Sequence, residues 1–170
     1  MSPGYRHTPL SSRLGLSFNE SAYWRVDMAE AECFMFFIAG LRQVFGDADT
    51  LYIEASKLDP EVAAFYEGFP KPLKPHIMRL SRRPQAKSFH IPLSKAAHKT
   101  LSQFSTCKTF AEICDALLVY RGEKIMLDGS RIGERVALFS GELPESRIKK
   151  FTQTRVNGSY EWVEEASDLV

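Results

Sequence analysis

From Gly68 to Ala111 the chain runs for 44 residues without one aspartate or glutamate. The same stretch holds Lys71, Lys74, Arg79, Arg82, Arg83, Lys87, Lys95, Lys99 and Lys108, with His76, His90 and His98 among them. The rest of the chain carries 13 basic and 21 acidic side chains, so the 170-residue whole has a net charge of only +1. A sign preference held over that length is the strongest functional signal in the sequence.

Several other things are scarce. There are three cysteines, Cys33, Cys107 and Cys114, an odd count with no Cys-x-x-Cys and no Cys/His cluster at zinc spacing. That pattern fits free thiols in a reducing cytoplasm better than a disulfide frame or a structural metal. The longest apolar run, Cys33 to Gly40, is far too short to cross a bilayer. The opening Met-Ser-Pro-Gly-Tyr-Arg-His has no apolar core of a secretory signal. The expectation is a cytoplasmic protein with no membrane association.

Catalytic signatures are missing as well. No Gly-x-x-x-x-Gly-Lys-Ser/Thr, no Gly-x-Gly-x-x-Gly after a strand and no Gly-x-Ser-x-Gly occurs. The four histidines are scattered, and no two fall at i, i+4 on a helix. Cys114-Asp115 could be forced into a thiol-nucleophile scheme, but a thiol on an apolar flank is ordinary packing. Glu54, Asp115 and Asp128 at strand ends offer no more than any strand ends would. No catalytic residue, cofactor or metal ligand is assigned.

What is present reads as one globular domain, with 44% apolar and 25% charged residues. The clearest β signal is Leu117–Tyr120 followed by Ile125–Leu127, joined through Arg121-Gly122-Glu123-Lys124. Gly122 at the first central position suits a type II′ turn. That turn would set Tyr120 opposite Ile125 and Leu118 opposite Leu127. Val136–Phe139 supplies a third strand and completes a meander. Thr50–Ala55 and Lys87–Leu93 read as further strands, as does Ile77–Leu80, and Leu14–Phe18 as a short edge strand.

Helix signals stand between them. Asp27 with Glu30 resembles a capping box opening a helix to Gly46, with Phe34, Phe37, Ile38, Leu41, Val44 and Phe45 as its apolar stripe. Asp59-Pro60-Glu61 starts a helix that ends near Gly68. Ser94 caps one whose Ala97, Leu101 and Phe104 turn inward, while Lys95, His98, Lys99 and Ser102 lie opposite. Thr109 with Glu112 begins a short helix, and Leu143-Pro144-Glu145 opens the last.

Strands in pairs and triplets, rather than strict alternation with helices, predict an α+β single domain. The sheet is mainly antiparallel with a C-terminal three-strand meander, and the helices pack on it. Residues 1–13 read as a flexible arm, 14–155 as the domain and 156–170 as a terminal hairpin or tail.

Function follows from the charge. Arg79, Arg82, Arg83, Lys87, Lys95, Lys99 and His98 are the candidate anion- or partner-binding residues. Gathered on one face, they would engage an acidic protein partner or, alternatively, a nucleic acid or phosphate ligand. The first turn of the Ser94 helix would add its partial positive end. The neutral total argues against a dedicated nucleic-acid domain. The expectation is a non-enzymatic binding or regulatory module, with an enzyme whose site is assembled from scattered residues as the third reading.

Overall fold

A computed structural model describes residues 17–18, 22–28, 34–72, 86–103, 114–130, 132–153 and 158–164. Eight strands are present: β1 Ser17–Phe18, β2 Ala22–Asp27, β3 Thr50–Ala55, β4 Lys87–Pro92, β5 Ala116–Arg121, β6 Lys124–Gly129, β7 Val136–Ser140 and β8 Ser159–Glu164. Four α-helices are described: α1 Phe34–Gly40, α2 Pro60–Glu67, α3 Lys95–Ser102 and α4 Glu145–Phe151. A 3₁₀ turn, Leu41–Gln43, continues α1, and another, Ile132–Glu134, precedes β7.

Seven strands form one antiparallel sheet in the order β4-β3-β5-β6-β7-β2-β8. The two-residue β1 lies parallel beside the start of β6, at Lys124 and Ile125. The fold is thus the expected α+β domain, with the β5-β6-β7 meander at the centre of the sheet. The turn chemistry holds too. Gly122 has φ +58 and Glu123 has no positive φ, the combination that a type II′ turn at Gly122-Glu123 requires.

The register beyond that turn departs from simple alternation. Tyr120 faces Ile125 as expected, but Val119 faces Leu127 and Leu118 faces Asp128. Met126 is the extra residue of a β-bulge. A bulge shifts the side-chain parity of one strand by one position. Ile125 therefore lies on one face while Met126 and Leu127 both enter the main core on the other.

That main core fills one face of the sheet. Leu51, Ile53, Ile91, Leu117, Val119, Phe139 and Val26 meet Phe37 and Ile38 of α1, Val62 and Tyr66 of α2, Leu101 of α3, and Ile148 and Phe151 of α4. All four described helices pack here. The opposite face buries a smaller cluster of Tyr52, Leu118, Tyr120, Ile125, Val136 and Leu138. Both faces are closed to water at the sheet centre, so β5, β6 and β7 read as continuous apolar runs.

Local rules set the helix ends. The Asp59 side chain accepts from Glu61 N at 2.8 Å, with Pro60 next to it, and Ser94 Oγ accepts from Ala97 N at 3.1 Å. At the last helix Pro144 takes the cap position itself.

Two readings of the sequence need correction. Asp27 does not cap a helix: it ends β2, an inner strand between β7 and β8. Its carboxylate pairs with Arg25 two residues back, at 3.0 Å, on the same face of the strand. Residues 159–164 form neither a self-contained hairpin nor a tail, but strand β8 along β2. Trp24 and Trp162 are cross-strand neighbours there, with ring centroids 4.6 Å apart. Gly158 permits the approach, because a Cβ at that position would overlap the Asp27 carbonyl oxygen. The expected strand at Ile77–Leu80, the capping box at Thr109 and the arm at 1–13 lie outside the described residues.

Candidate functional site

The turn from Phe45 to Asp49 joins the first helical segment to β3, and three contacts fix it. Asp49 is only 1% exposed. Its carboxylate takes two hydrogen bonds from Arg121, 2.7 Å from Nε and 3.1 Å from a terminal nitrogen, and a third from Gly46 N at 2.9 Å. Its carbonyl accepts from Leu93 N, just before α3, at 2.9 Å. One residue thereby ties the turn to the ends of β5 and β4. Paired guanidinium and carboxylate of this geometry make the stronger class of hydrogen bond, and the pairing raises the Arg121 pKa.

The third contact comes from α3. His98 Nε2 lies 3.2 Å from the Phe45 carbonyl oxygen, so this nitrogen carries the proton and donates. Nδ1 is left with a lone pair. It is the one buried side-chain nitrogen or oxygen among the described residues without a hydrogen-bond partner. Burial lowers the His98 pKa, partly opposed by the bond to Phe45. The imidazole is neutral at pH 7.

Between this turn and α3 opens a cleft of about 830 Å³, lined by Arg42, Asp47, Lys95, His98, Lys99 and Ser102 over Leu93. Helical spacing explains the α3 contribution. Residues 95, 98, 99 and 102 fall on one stripe, but only Lys95, Lys99 and Ser102 are open to solvent: His98 is buried, as are Ala97 and Leu101 of the core side. Arg42 enters from the 3₁₀ turn, whose Leu41 is buried. Arg42, Lys95 and Lys99 are exposed, and none pairs with a described carboxylate. Three other cations are ion-paired: Arg25 with Asp27, Arg121 with Asp49, and Lys124 with Glu142 at 2.8 Å. Counting Asp47, the cleft carries a surplus of two positive charges.

The structure thus brings together Lys95, His98 and Lys99 of the predicted residues. Lys87 does not join them. It stands at the far end of β4, in a separate groove of about 500 Å³ with Tyr66, Phe69, Lys71, Phe89 and His90. Arg79, Arg82 and Arg83 lie outside the described residues. Arg42 and Asp47 escaped sequence reasoning, since both precede the acid-free stretch. The available signal was a lone arginine on the polar side of an otherwise apolar helical run.

Other chemistry is sparse. Among the described residues no group of three or more His, Cys, Asp or Glu could hold a metal ion, and no helix is long and apolar enough to cross a membrane. Cys114 is buried, and burial pushes its thiol up to about 12, which keeps it protonated and unreactive. His90 shares a 3.0 Å hydrogen bond with the Tyr120 hydroxyl on the second face of the sheet, opposite to Phe89 and Ile91 as strand alternation requires.

The depressed His98 pKa carries a stability prediction. Its stabilising contribution is complete above the unfolded-state value of 6.5 and declines as pH falls below it, because the unfolded chain then binds the proton more readily. Urea midpoints at about pH 7.5 and 5.5 should differ more in the wild type than in His98→Gln. Equal differences in the two proteins would show that His98 is protonated freely in the folded state.

Comparison with protein-family models, curated proteins and solved structures finds no match to this chain.

Proposed function

We propose that this protein is a non-enzymatic binding module that takes an acidic segment of a partner protein into the cleft between the α1 end and α3. One observation carries the reading. Three cations from two elements surround one cavity against a single acid, Asp47, and none of the three is ion-paired with a described carboxylate. Unpaired cations around a concave surface steer and orient an anionic partner. A cleft of about 830 Å³ accommodates several side chains rather than a lone ion. The buried thiol of Cys114 fits a reducing cytoplasm as the setting.

Nucleic acid is the second reading, since phosphates would meet the same cations. It is less favoured because no Phe, Tyr or Trp lines the cleft among the described residues, and stacking on such rings is how single strands are held. The sequence pI of about 7.7 also falls below that of typical nucleic-acid domains.

Fluorescence anisotropy separates the two readings, with a labelled glutamate-rich peptide beside single- and double-stranded oligonucleotides at about 50 and 200 mM salt. The peptide is expected to bind, to weaken with salt, and to lose roughly 30-fold in affinity to the triple variant Arg42→Ala/Lys95→Ala/Lys99→Ala, at under 1 kcal/mol per exposed charge. Peptide binding that ignores the triple substitution would overturn the reading. So would oligonucleotide binding tighter than peptide binding.

A further inference from the structure

We infer that the outer edge of β8 is a docking edge, on which an extended lysine- or arginine-bearing segment of a partner protein adds as a further strand. The surface is independent of the cleft, to which β8 contributes none of the lining residues. β8 closes one end of the sheet, and all six of its residues pair with β2 on the inner side. In an antiparallel pair, alternate residues turn their N–H and C=O groups away from the neighbour. No described strand takes that outward set. Such a row of open backbone groups is the template on which an extended peptide pairs.

The two ends of the sheet differ in how they meet solvent. β4, at the opposite end, starts at Lys87 and finishes at Pro92, a charge and a missing donor of the kind that keep an edge from pairing. β8 reads Ser-Tyr-Glu-Trp-Val-Glu, with neither lysine nor proline. It also displays Trp162, which at 42% exposure is the one large hydrophobic side chain exposed among the described residues. That ring is held in place from three sides. It meets Trp24 edge-to-face, lies over Gly141, where a Cβ would come within 3.0 Å of it, and donates from Nε1 to Glu164 at 3.1 Å.

Charge selects the occupant. Strand alternation puts Trp162 and Glu164 on the main-core face with Trp24, and Glu161 on the other. β8 thus offers one exposed carboxylate on each face and no base. The base across from Glu161 is Arg25, which is already bound to Asp27 at 3.0 Å. Two lysines spaced i, i+2 on an added strand would meet the Trp162 ring and Glu164, the first by cation–π attraction and the second by ion pairing. A basic residue on the other face would meet Glu161. A second copy of β8 would instead set two glutamates against two with no base in the ribbon, and like charges across strands are destabilising. An acidic segment fails for the same reason.

The test titrates the full, isotope-labelled chain with acetyl-Thr-Lys-Val-Lys-Val-Lys-Thr-amide and follows it by NMR. Beside it run the same peptide with glutamate for lysine, and two forms N-methylated on alternate backbone nitrogens, one along each edge. The lysine peptide should shift the amide signals of residues 159–164 and the Trp162 indole signal, and slow hydrogen exchange at alternate amides of β8. One N-methylated form should bind as the parent does and the other about tenfold more weakly, because only one edge of the peptide faces β8. Glu161→Gln/Glu164→Gln, at two exposed positions, should lose about fivefold in affinity. Equal binding of the two N-methylated forms would reduce the contact to charge and overturn strand addition. The absence of any β8 shift with the lysine peptide would overturn it as well. Equal binding of the glutamate peptide would overturn the basic partner. Protection of the β8 amides that grows with protein concentration before peptide is added would place a second copy on the edge, and that too would overturn the partner.

Discussion

Arg121→Ala should lower the melting temperature by about 10 °C, a larger loss than removal of the carboxylate that Arg121 binds. The asymmetry comes from exposure. The Arg121 side chain is 43% exposed and its partner Asp49 only 1%. Without Asp49, the guanidinium turns to water. Without Arg121, a buried carboxylate keeps one backbone N–H, from Gly46, and no countercharge. Leaving one charge of such a pair alone costs about 3–5 kcal/mol, or about 2–4 °C per kcal/mol at this chain length. Asp49→Asn retains a hydrogen-bonding group and should cost about 1–2 kcal/mol. The double variant Arg121→Ala/Asp49→Asn should recover most of the loss, giving a large coupling energy. Urea denaturation of the four proteins checks this. A loss below about 0.5 kcal/mol in Arg121→Ala would mean that Asp49 reaches water on its own.

The second large effect is in the core. Phe139→Ala should cost about 3–5 kcal/mol, because a fully buried ring leaves a cavity the surroundings cannot fill. Phe139 stacks on Phe45, with centroids 6.1 Å apart, and meets Phe151 edge-on at 5.3 Å. Its strand neighbours are Leu127 and Trp24. One ring thus joins β7, the turn that carries the cleft, and α4. Phe139→Leu, which keeps most of the volume, should cost under about 1.5 kcal/mol. Equal losses in the two variants would contradict this, showing that the ring contacts carry the whole effect and the volume that leucine retains contributes nothing.

Local chemistry was legible where neighbours in sequence act on each other. Gly122 announces its turn, Asp59-Pro60 and Ser94 announce their helices, and each structure follows because the side chain bonds to backbone two or three residues away. Legibility fails where a residue's partner is distant. Asp27 has the form of a helix cap, but β7 and β8 claim its backbone on both sides. The Met126 bulge leaves no mark in a run where every residue is apolar. Asp49 and Arg121 stand 72 residues apart, so nothing in the pattern couples them. The candidate site divides in the same way. Helical spacing placed Lys95, His98 and Lys99 on one stripe, whereas Arg42 and Asp47 join them only through the packing of the turn on α3.

The central claim, that this cleft receives an acidic ligand, is most directly tested by backbone-amide chemical-shift mapping of the isotope-labelled chain titrated with the glutamate-rich peptide. The largest shifts should fall on residues 41–49 and 93–103, the two walls of the cleft, and vanish with the Arg42/Lys95/Lys99 substitutions. Shifts centred instead on Lys71, Lys87 and the β4 edge, or none at saturating peptide, would contradict it.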